Sequence, residues 1–320
     1  MTPTTPLALA VDLGGTKIAA TAVDTTGALV LPKVKVPTPA HEGADAVLDA
    51  MARAIDSCRE RVDHASVTAL GIGAAGAIDV DRGVVVSATD TMSGWRGADI
   101  ITGLRARLPW ASDLPIHVQN DVDAHAVGES WRGAGAGASS MLMLAVGTGI
   151  GAAFCRDGDV MRGAHHMAGE VGNLLVDVVD QVVDSGRHPF EHVAAGPAIL
   201  RTYRALGGTA EAARGQDVMQ LALRGDALAE GVVRALGRRV GRVLAWLTLV
   251  LDPAVVVLGG GVPTSPSPWW SGMEDELRGG LPQALRDVPV RRATQRNNAA
   301  LLGAARDAFR LAGVPTTEED

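Results

Sequence analysis

Two glycine turns, each set between short apolar runs, constrain this 320-residue chain more than any other feature. The first is Asp12-Leu13-Gly14-Gly15-Thr16-Lys17, between the apolar run Leu7–Val11 and the alternating run Ile18–Val23. The second is Gly147-Thr148-Gly149-Ile150-Gly151, between Met141–Val146 and Ala152–Cys155. Apolar runs of this length bounded by glycine read as buried strands, and a glycine linkage folds them back on one another as hairpins. The same opening of strand, glycine turn with threonine, and strand occurs twice. That repetition hints at a duplicated domain. With 47% hydrophobic residues, the chain can bury the cores of two domains.

The rest of the pattern extends both halves. Leu29–Val36 reads as a third strand closed by Pro37 and Pro39, and Ala44–Val62 carries Val47, Met51, Ala54 and Ile55 at helical spacing. Val67–Gly73 is a further buried strand, so the first half is an α/β unit on a mixed sheet. In the second half, the short strand Ile116–Val118 runs into Gln119-Asn120-Asp121, ahead of a helix over Ala124–Trp131. From about Ala194 the chain reads as mainly helical, with a long helix at Val232–Leu251. The buried strand Val255–Leu258 then opens into Gly259-Gly260-Gly261, and Asn298–Leu311 forms a last helix.

The turns suit phosphate. Glycines let the backbone approach an anion closely and aim N–H groups at it, while Thr16 adds a hydroxyl donor. Asp12, at a strand end, is a carboxylate of the kind that holds Mg²⁺, usually through water. Taken alone, the first turn serves a plain hairpin equally well. It is not a Walker A loop, since no GxxxxGK[ST] occurs in the chain. Gly71-Ile72-Gly73-Ala74-Ala75-Gly76 matches GxGxxG, but Ala77–Val86 reads as strand-turn-strand and not as the helix a dinucleotide site requires. Gly259–Gly261 ends a buried strand where a flat ligand such as adenine could approach. Three such turns, each at a strand end, argue for a nucleotide held between two related halves.

Bulk properties narrow the class. A formal net charge of -7 leaves no basic face for nucleic acid. The two cysteines, Cys58 and Cys155, stand apart and fit a reducing cytosol, and the first residues lack the basic start of a signal peptide. The most apolar tract, Val243–Leu258, is broken by Asp252-Pro253, too short on either side for a membrane span.

In order and spacing, VDLGGTKIAATAVD (Val11–Asp24), GIGAAGAID (Gly71–Asp79), QNDVDAHAVGE (Gln119–Glu129), VGTGIGAAF (Val146–Phe154), RGAHHMAGEVGN (Arg162–Asn173) and VVLGGGV (Val256–Val262) resemble the ROK family of sugar kinases, bacterial glucokinases in particular. The resemblance implies an α/β, actin-like (ribonuclease H-like) duplicated fold with a central cleft. It implies a smaller domain of residues 1–117 with a C-terminal helix at about 301–320, and a larger one of residues 118–300. It also implies ATP-dependent phosphorylation of a sugar hydroxyl, most simply the 6-hydroxyl of glucose or a related hexose or amino sugar, with closure around the sugar. Asp121 would be the general base. Gly76, Asn120, Glu170, Asn173 and Glu191 would contact sugar. Asp12, Gly14, Gly15, Thr16, Lys17, Gly147, Thr148, Gly149, Gly259, Gly260 and Gly261 would contact the nucleotide, Asp12 through Mg²⁺. The chemistry is apt: phosphoryl transfer needs positioning, charge neutralisation and a carboxylate near the nucleophile. The residues alone leave Asn120-Asp121 open to a second reading, as the N-cap of the following helix, and either glutamate to an ordinary solvated one. A cytoplasmic homodimer or homotetramer without nucleic-acid or membrane partners completes what is implied.

The chain departs from the family at its zinc motif. Asn173 stands in place of the metal-binding histidine, and Leu174–Phe190 contains no cysteine, so no structural zinc is expected. The remaining candidates, Asp184, His188 and His192 with His165 and His166 upstream, have no zinc spacing. The apolar stretch Leu174–Val183 is expected to hold that loop by packing instead. Ala75 replaces a usual proline and Thr91 a common asparagine. The phosphate machinery reads as intact and the sugar pocket as altered. Two other readings follow: a degenerate sugar- or nucleotide-binding protein, and a sugar-responsive transcription regulator. The regulator is disfavoured by the first strand beginning at Leu7 and by the acidic charge.

Overall fold

The structure is a computed structural model that describes residues 5–89, 91–178, 186–209, 211–264 and 266–317. The chain opens with β1 (Leu7–Leu13), β2 (Lys17–Asp24), β3 (Val34–Pro37), α1 (Ala44–Arg59), β4 (Val67–Ala74), β5 (Ala77–Asp79) and β6 (Val84–Ser87). It continues with α2 (Ile100–Arg107), β7 (Ile116–Asn120), α3 (Asp121–Arg132), β8 (Ser140–Val146), β9 (Ile150–Arg156) and β10 (Asp159–Val160). A ribbon of β11 (Leu175–Val178) and β12 (Gly186–Pro189) precedes α4 (Phe190–Ala194), α5 (Gly196–Ala205), α6 (Gly215–Leu223) and α7 (Ala227–Leu251). Then come β13 (Val255–Gly259), α8 (Pro268–Gly280), β14 (Val290–Arg292) and α9 (Ala299–Leu311).

Contacts divide the chain into two compact units. One comprises Met1–Gly137, Cys155–Ala168 and Thr294–Asp320; the other, Ala138–Phe154 and Gly169–Ala293. The two large sheets explain the repeated opening. One runs β3-β2-β1-β4-β7 and the other β10-β9-β8-β13-β14. In each, the first strand of the repeat lies between its hairpin partner and a parallel strand, β1 beside β4 and β8 beside β13.

In the first unit the alternation of β1 sorts its side chains to two faces. Leu7, Leu9, Val11 and Leu13 enter the core with Val47, Met51, Ile55, Ile100 and Leu104 of α1 and α2. Ala8 and Ala10 face the other way, packing with Leu301, Ala304 and Phe309 of α9. Asp12 continues that second row. Helices α3 and α9 approach so closely that side chains are excluded at their crossing. A Cβ on Gly303 would lie 1.9 Å from the Ala124 carbonyl oxygen, and one on Gly128 would lie 2.0 Å from that of Ala299. In the second unit β8 and β13 are buried beneath α5, α6, α7 and α8, with Tyr203, Phe190 and Trp269 as the large members of the core.

The elements differ from the sequence expectation mainly at their ends. The third strand is confined to Val34–Pro37, because Pro32 denies the ladder an N–H. Helix α3 begins at Asp121 and not at Ala124, because the Asn120 side chain supplies its cap. Helix α7 starts earlier, at Ala227, where Asp226 accepts from the Ala229 N–H. In the loop expected to be held by apolar packing, β11 pairs antiparallel with β12, and Val176 joins the core of the second unit. Leu174 and Leu175 are exposed (41% and 61%), and Val176 alone of Leu174–Asp177 is buried. The remainder of that apolar stretch, residues 179–183, lies outside the described residues, as does Asp184. Among the described residues, no helix is long and apolar enough to cross a membrane.

Candidate functional site

In the first unit, sheet topology gathers one group of the expected residues. The β1–β2 turn is held open from beneath: the Gly14 N–H donates to the Lys17 carbonyl, and the Thr38 hydroxyl donates to the Gly14 carbonyl over 2.7 Å. Thr38 also donates its backbone N–H to the Thr16 carbonyl. No atom comes within 4 Å of a Cβ placed on Gly15, so the outer side of the turn is free for a ligand. Gly15, Thr16 and Lys17 are exposed, and Asp12 is half-buried at the strand end.

Parallel pairing of β1 with β4, and of β4 with β7, sets Asp12 beside Gly73, and Gly73 beside Gln119. The next residues of β7 lead directly into α3. There Asn120 caps the helix, accepting from the Val122 and Asp123 N–H groups at 2.8 and 3.1 Å. Its Nδ2 donates to the Gly76 carbonyl over 2.8 Å. The helix-cap reading of Asn120 is therefore realised, and it brings Asn120 together with Gly76. Gly76 itself has φ +101°, and a Cβ there would meet the Ser87 carbonyl oxygen at 2.6 Å, so only glycine fits.

Asp121, the first residue of α3, retains some exposure but is densely surrounded by protein. Burial pushes its carboxyl up to about 6; His125 pulls the other way, and the Asp12 carboxylate adds to the rise. Asp12 is raised in turn by burial, against the opposing pull of His125, Lys17 and Lys33. Two carboxylates in mutual electrostatic contact are a donor set that fits a hard divalent cation, which asks for oxygen ligands and keeps several of its waters. Among the described residues no group of three His, Cys, Asp or Glu is arranged to hold a metal. The fit is thus to a cation held largely by water and phosphate.

The second unit gathers the rest. The β8–β9 turn closes with the Gly147 N–H donating to the Gly149 carbonyl, and the Gly196 N–H at the start of α5 donates to the Gly147 carbonyl. The turn after β13 lies alongside: Val262 N–H donates to the Val146 carbonyl, and Gly260 (φ +86°) passes so near Val146 that a Cβ would lie 2.3 Å from its oxygen. Thr148, Gly260 and Gly261 are exposed, while Gly259 is buried at the end of β13. Glu191, on α4, accepts from the Ile150 N–H at 2.8 Å, and a Cβ on Gly149 would lie 2.5 Å from the same carboxylate oxygen. One oxygen of Glu191 is therefore committed to the turn. Glu170 is half-buried, and its carboxyl is raised by burial and then by Glu191. Asn173 is exposed, its backbone N–H donating to the Glu170 carbonyl. His188 and His192 stack with ring centroids 5.7 Å apart.

A model of the ROK family matches residues 8–308. The chain belongs to the ROK family. It is similar to the glucokinase of Streptomyces coelicolor, 32% identical over 93% of this chain and 96% of that protein. Among solved structures it is similar to a ROK hexokinase from Thermus thermophilus, with a TM-score of 0.78 and 35% identity over 95% of this chain and 98% of that one. A ROK family glucokinase from Streptomyces griseus, in complex with glucose and AMPPNP, has a TM-score of 0.78 and 31% identity, covering 95% and 99% of the two chains. The fold is the α/β, actin-like type that the resemblance implied.

Three supporting residues of this ROK chain escaped the sequence reading. His125 sits one turn after Asp121, its Nδ1 3.0 Å from the Asp121 backbone oxygen, and it opposes the rise of both carboxyls. The i, i+4 spacing was the available signal. Trp95, fully buried, donates from Nε1 to the Ala75 carbonyl beside Gly76. Thr38, directly after β3, buttresses the β1–β2 turn. For the last two, nothing local in the sequence announces the partner.

Proposed function

We propose that this ROK chain transfers the terminal phosphoryl group of ATP to a hydroxyl of a hexose, with the 6-hydroxyl of glucose as the first acceptor to test. The observation that carries the reading is the Asp121 carboxyl at the start of α3, set beside Asp12 with its pKa near 6. A base with a pKa in that range is largely ionised at neutral pH and still retains affinity for a proton. Asp121 accepts the proton of the attacking hydroxyl as its oxygen forms a bond to phosphorus and the bond from phosphorus to the ADP oxygen breaks. Asn120 and Gly76 fix the segment on which the sugar lies. Glu170, Glu191 and Asn173 take further sugar hydroxyls, carboxylates being suited because each accepts from paired donors.

The turn of Gly14, Gly15, Thr16 and Lys17 receives phosphate oxygens, and those of Gly147–Gly149 and Gly259–Gly261 receive the rest of the nucleotide. Asp12 would hold Mg²⁺ by way of water, and the bound ion would neutralise charge on the transferring phosphate. A coupled assay of ADP release over a panel of hexoses and N-acetylhexosamines tests the proposal. Sugar-dependent release from at least one supports it. Sugar binding without turnover across the panel would overturn it in favour of a degenerate binder.

A further inference from the structure

Three buried acceptors of the first unit, on three different elements, meet one guanidinium. Gln119, the next-to-last residue of β7, has no exposed surface; Asp123 in the first turn of α3 and Asp307 in α9 are 8% and 7% exposed. Arg162, two residues beyond β10, donates from Nη2 to Gln119 Oε1 at 2.8 Å and to Asp307 Oδ2 at 3.0 Å. Its Nε stands 4.0 Å from Asp123 Oδ2 as an ion pair. All four residues belong to the first unit. Buried acceptors need donors, and buried carboxylates need a cation. A guanidinium serves several at once because its donors are held in a rigid planar fork.

Two of these acceptors bracket Asp121. Gln119 lies two residues before it and Asp123 two residues after it. Asp121 stands where the chain turns from strand to helix, and helix ends fray more readily than their interiors. The Asn120 cap satisfies the first N–H groups of α3, but a cap bond does not by itself fix how the helix end sits against the sheet. Gln119 and Asp123 supply that lateral constraint. Strand pairing places Gln119 on the sheet face that carries Asp12, through Gly73. The other end of its amide donates to the Gly303 carbonyl of α9 at 3.4 Å. Helix α9 is a firm support, because its backbone at Gly303 meets that of α3 with no side chain between them.

The clamp works on Asp121 through the backbone and not through its charge. Among the described residues no hydrogen bond or ion pair joins Arg162 to Asp121. After burial, the groups that move the Asp121 carboxyl are His125 and Asp12. Arg162 therefore bears on Asp121 by way of its neighbours on either side.

We propose that Arg162 is a positioning residue for Asp121: by holding Gln119 and Asp123 against α9, it fixes the carboxylate between them where the proton is taken. The proposal rests on the kinase reading for the task of Asp121, and on the geometry alone for the clamp. Loosening the clamp lets the start of α3 shift, and a misplacement of about 1 Å at a reacting group costs on the order of 100-fold in rate. Lysine cannot replace Arg162, because one ammonium lacks the planar fork that spans strand and helix together.

Two variants of the full chain test this. Arg162→Lys keeps the charge and loses the fork; Arg162→Gln/Asp307→Asn removes a cation and an anion together and leaves neutral amides in their place. Each is taken through thermal melts, steady-state kinetics against sugar and ATP, and a carbon-13 NMR titration of the Asp121 carboxyl. In both, kcat should fall about 10- to 100-fold while each KM changes by less than about threefold. The Asp121 carboxyl should titrate lower than in the wild type, as the loosened helix start admits water; loss of a nearby positive charge alone would move it upward. An unchanged kcat in a folded variant overturns the proposal, as does an Asp121 titration that stays in place or rises. Both KM values rising in step with the fall in kcat, or loss of the fold in both variants, overturns it as well, by making Arg162 a support of the whole unit. The titration is read without turnover, so a wild type that releases no sugar-dependent ADP, with the Asp121 shift still present in the variants, counts against the kinase reading alone.

Discussion

Asn120 donates from Nδ2 to the carbonyl oxygen of Gly76 across 2.8 Å, while its Oδ1 caps the helix that begins with Asp121. One amide thus ties the β4–β5 turn to the start of α3. Aspartate would cap equally well but has no hydrogen to give Gly76. Asn120→Asp should cost about 1–3 kcal/mol of stability, the penalty for setting an unpaired carbonyl against a carboxylate. It should also move the acid limb of the pH–rate profile upward, because a new negative charge adjoins Asp121. Urea melts and pH profiles of kcat/KM check both.

With Asp121 as the proposed base, its pKa of about 6 is expected to set the pH dependence of the wild-type reaction. Activity should rise with a single inflection near that value and level off above it, because the ionised carboxylate is the base. His125 pulls the pKa of Asp121 down. His125→Ala should therefore shift the inflection to higher pH while leaving the plateau rate within about tenfold. A profile that does not move in that variant would exclude the pairing as a determinant of the base.

Asp121→Asn should abolish turnover and largely spare sugar binding. It should also stabilise the fold at neutral pH. The folded pKa of about 6 lies above the ordinary aspartate value of 3.8, so the folded state holds the proton more tightly than the unfolded chain does. No penalty exists below the unfolded value; it grows as pH rises from about 4 to 6 and is complete above that. Allowing for the partial exposure of the side chain, the variant should gain about 1 kcal/mol at pH 7.5. That gain should fade as melts are repeated toward pH 4.5.

Glu191 accepts the Ile150 N–H with one carboxylate oxygen, and under the proposed function the other takes a sugar hydroxyl. Glu191→Gln can keep the backbone bond through its amide oxygen, so stability should change by less than about 0.5 kcal/mol. The KM for sugar should rise by about tenfold or more, with the KM for ATP little altered. Glu191→Ala removes the acceptor and should cost a further 1–3 kcal/mol, roughly the penalty of an unsatisfied N–H. Steady-state kinetics against each substrate, with thermal melts, separate the two roles.

Much of this was legible in the chain. Strands β1, β2, β4, β8 and β13 were visible because each is a short apolar run bounded by glycine, and the repeated strand-turn-strand opening announced the duplicate sheets. GIGAAG was rightly refused as a dinucleotide loop, since β5 and not a helix follows Gly76. Of the apolar stretch after Asn173, Leu174 and Leu175 are exposed while Val176 packs into the core and β11 pairs with β12; pairing with a strand that begins only at Gly186 is not written in the local sequence.

The sequence by itself determined the strand-and-turn grammar and, through six ordered motifs, the family, because both depend on neighbours along the chain. Only the tertiary structure decided that Asn120 clamps Gly76 from 44 residues away, that Asp12 raises the pKa of Asp121, and that one guanidinium, of Arg162, joins Gln119, Asp123 and Asp307. Desolvation, Coulomb interaction and hydrogen bonding act through space, so their partners are fixed by sheet register and helix packing and not by position in the sequence.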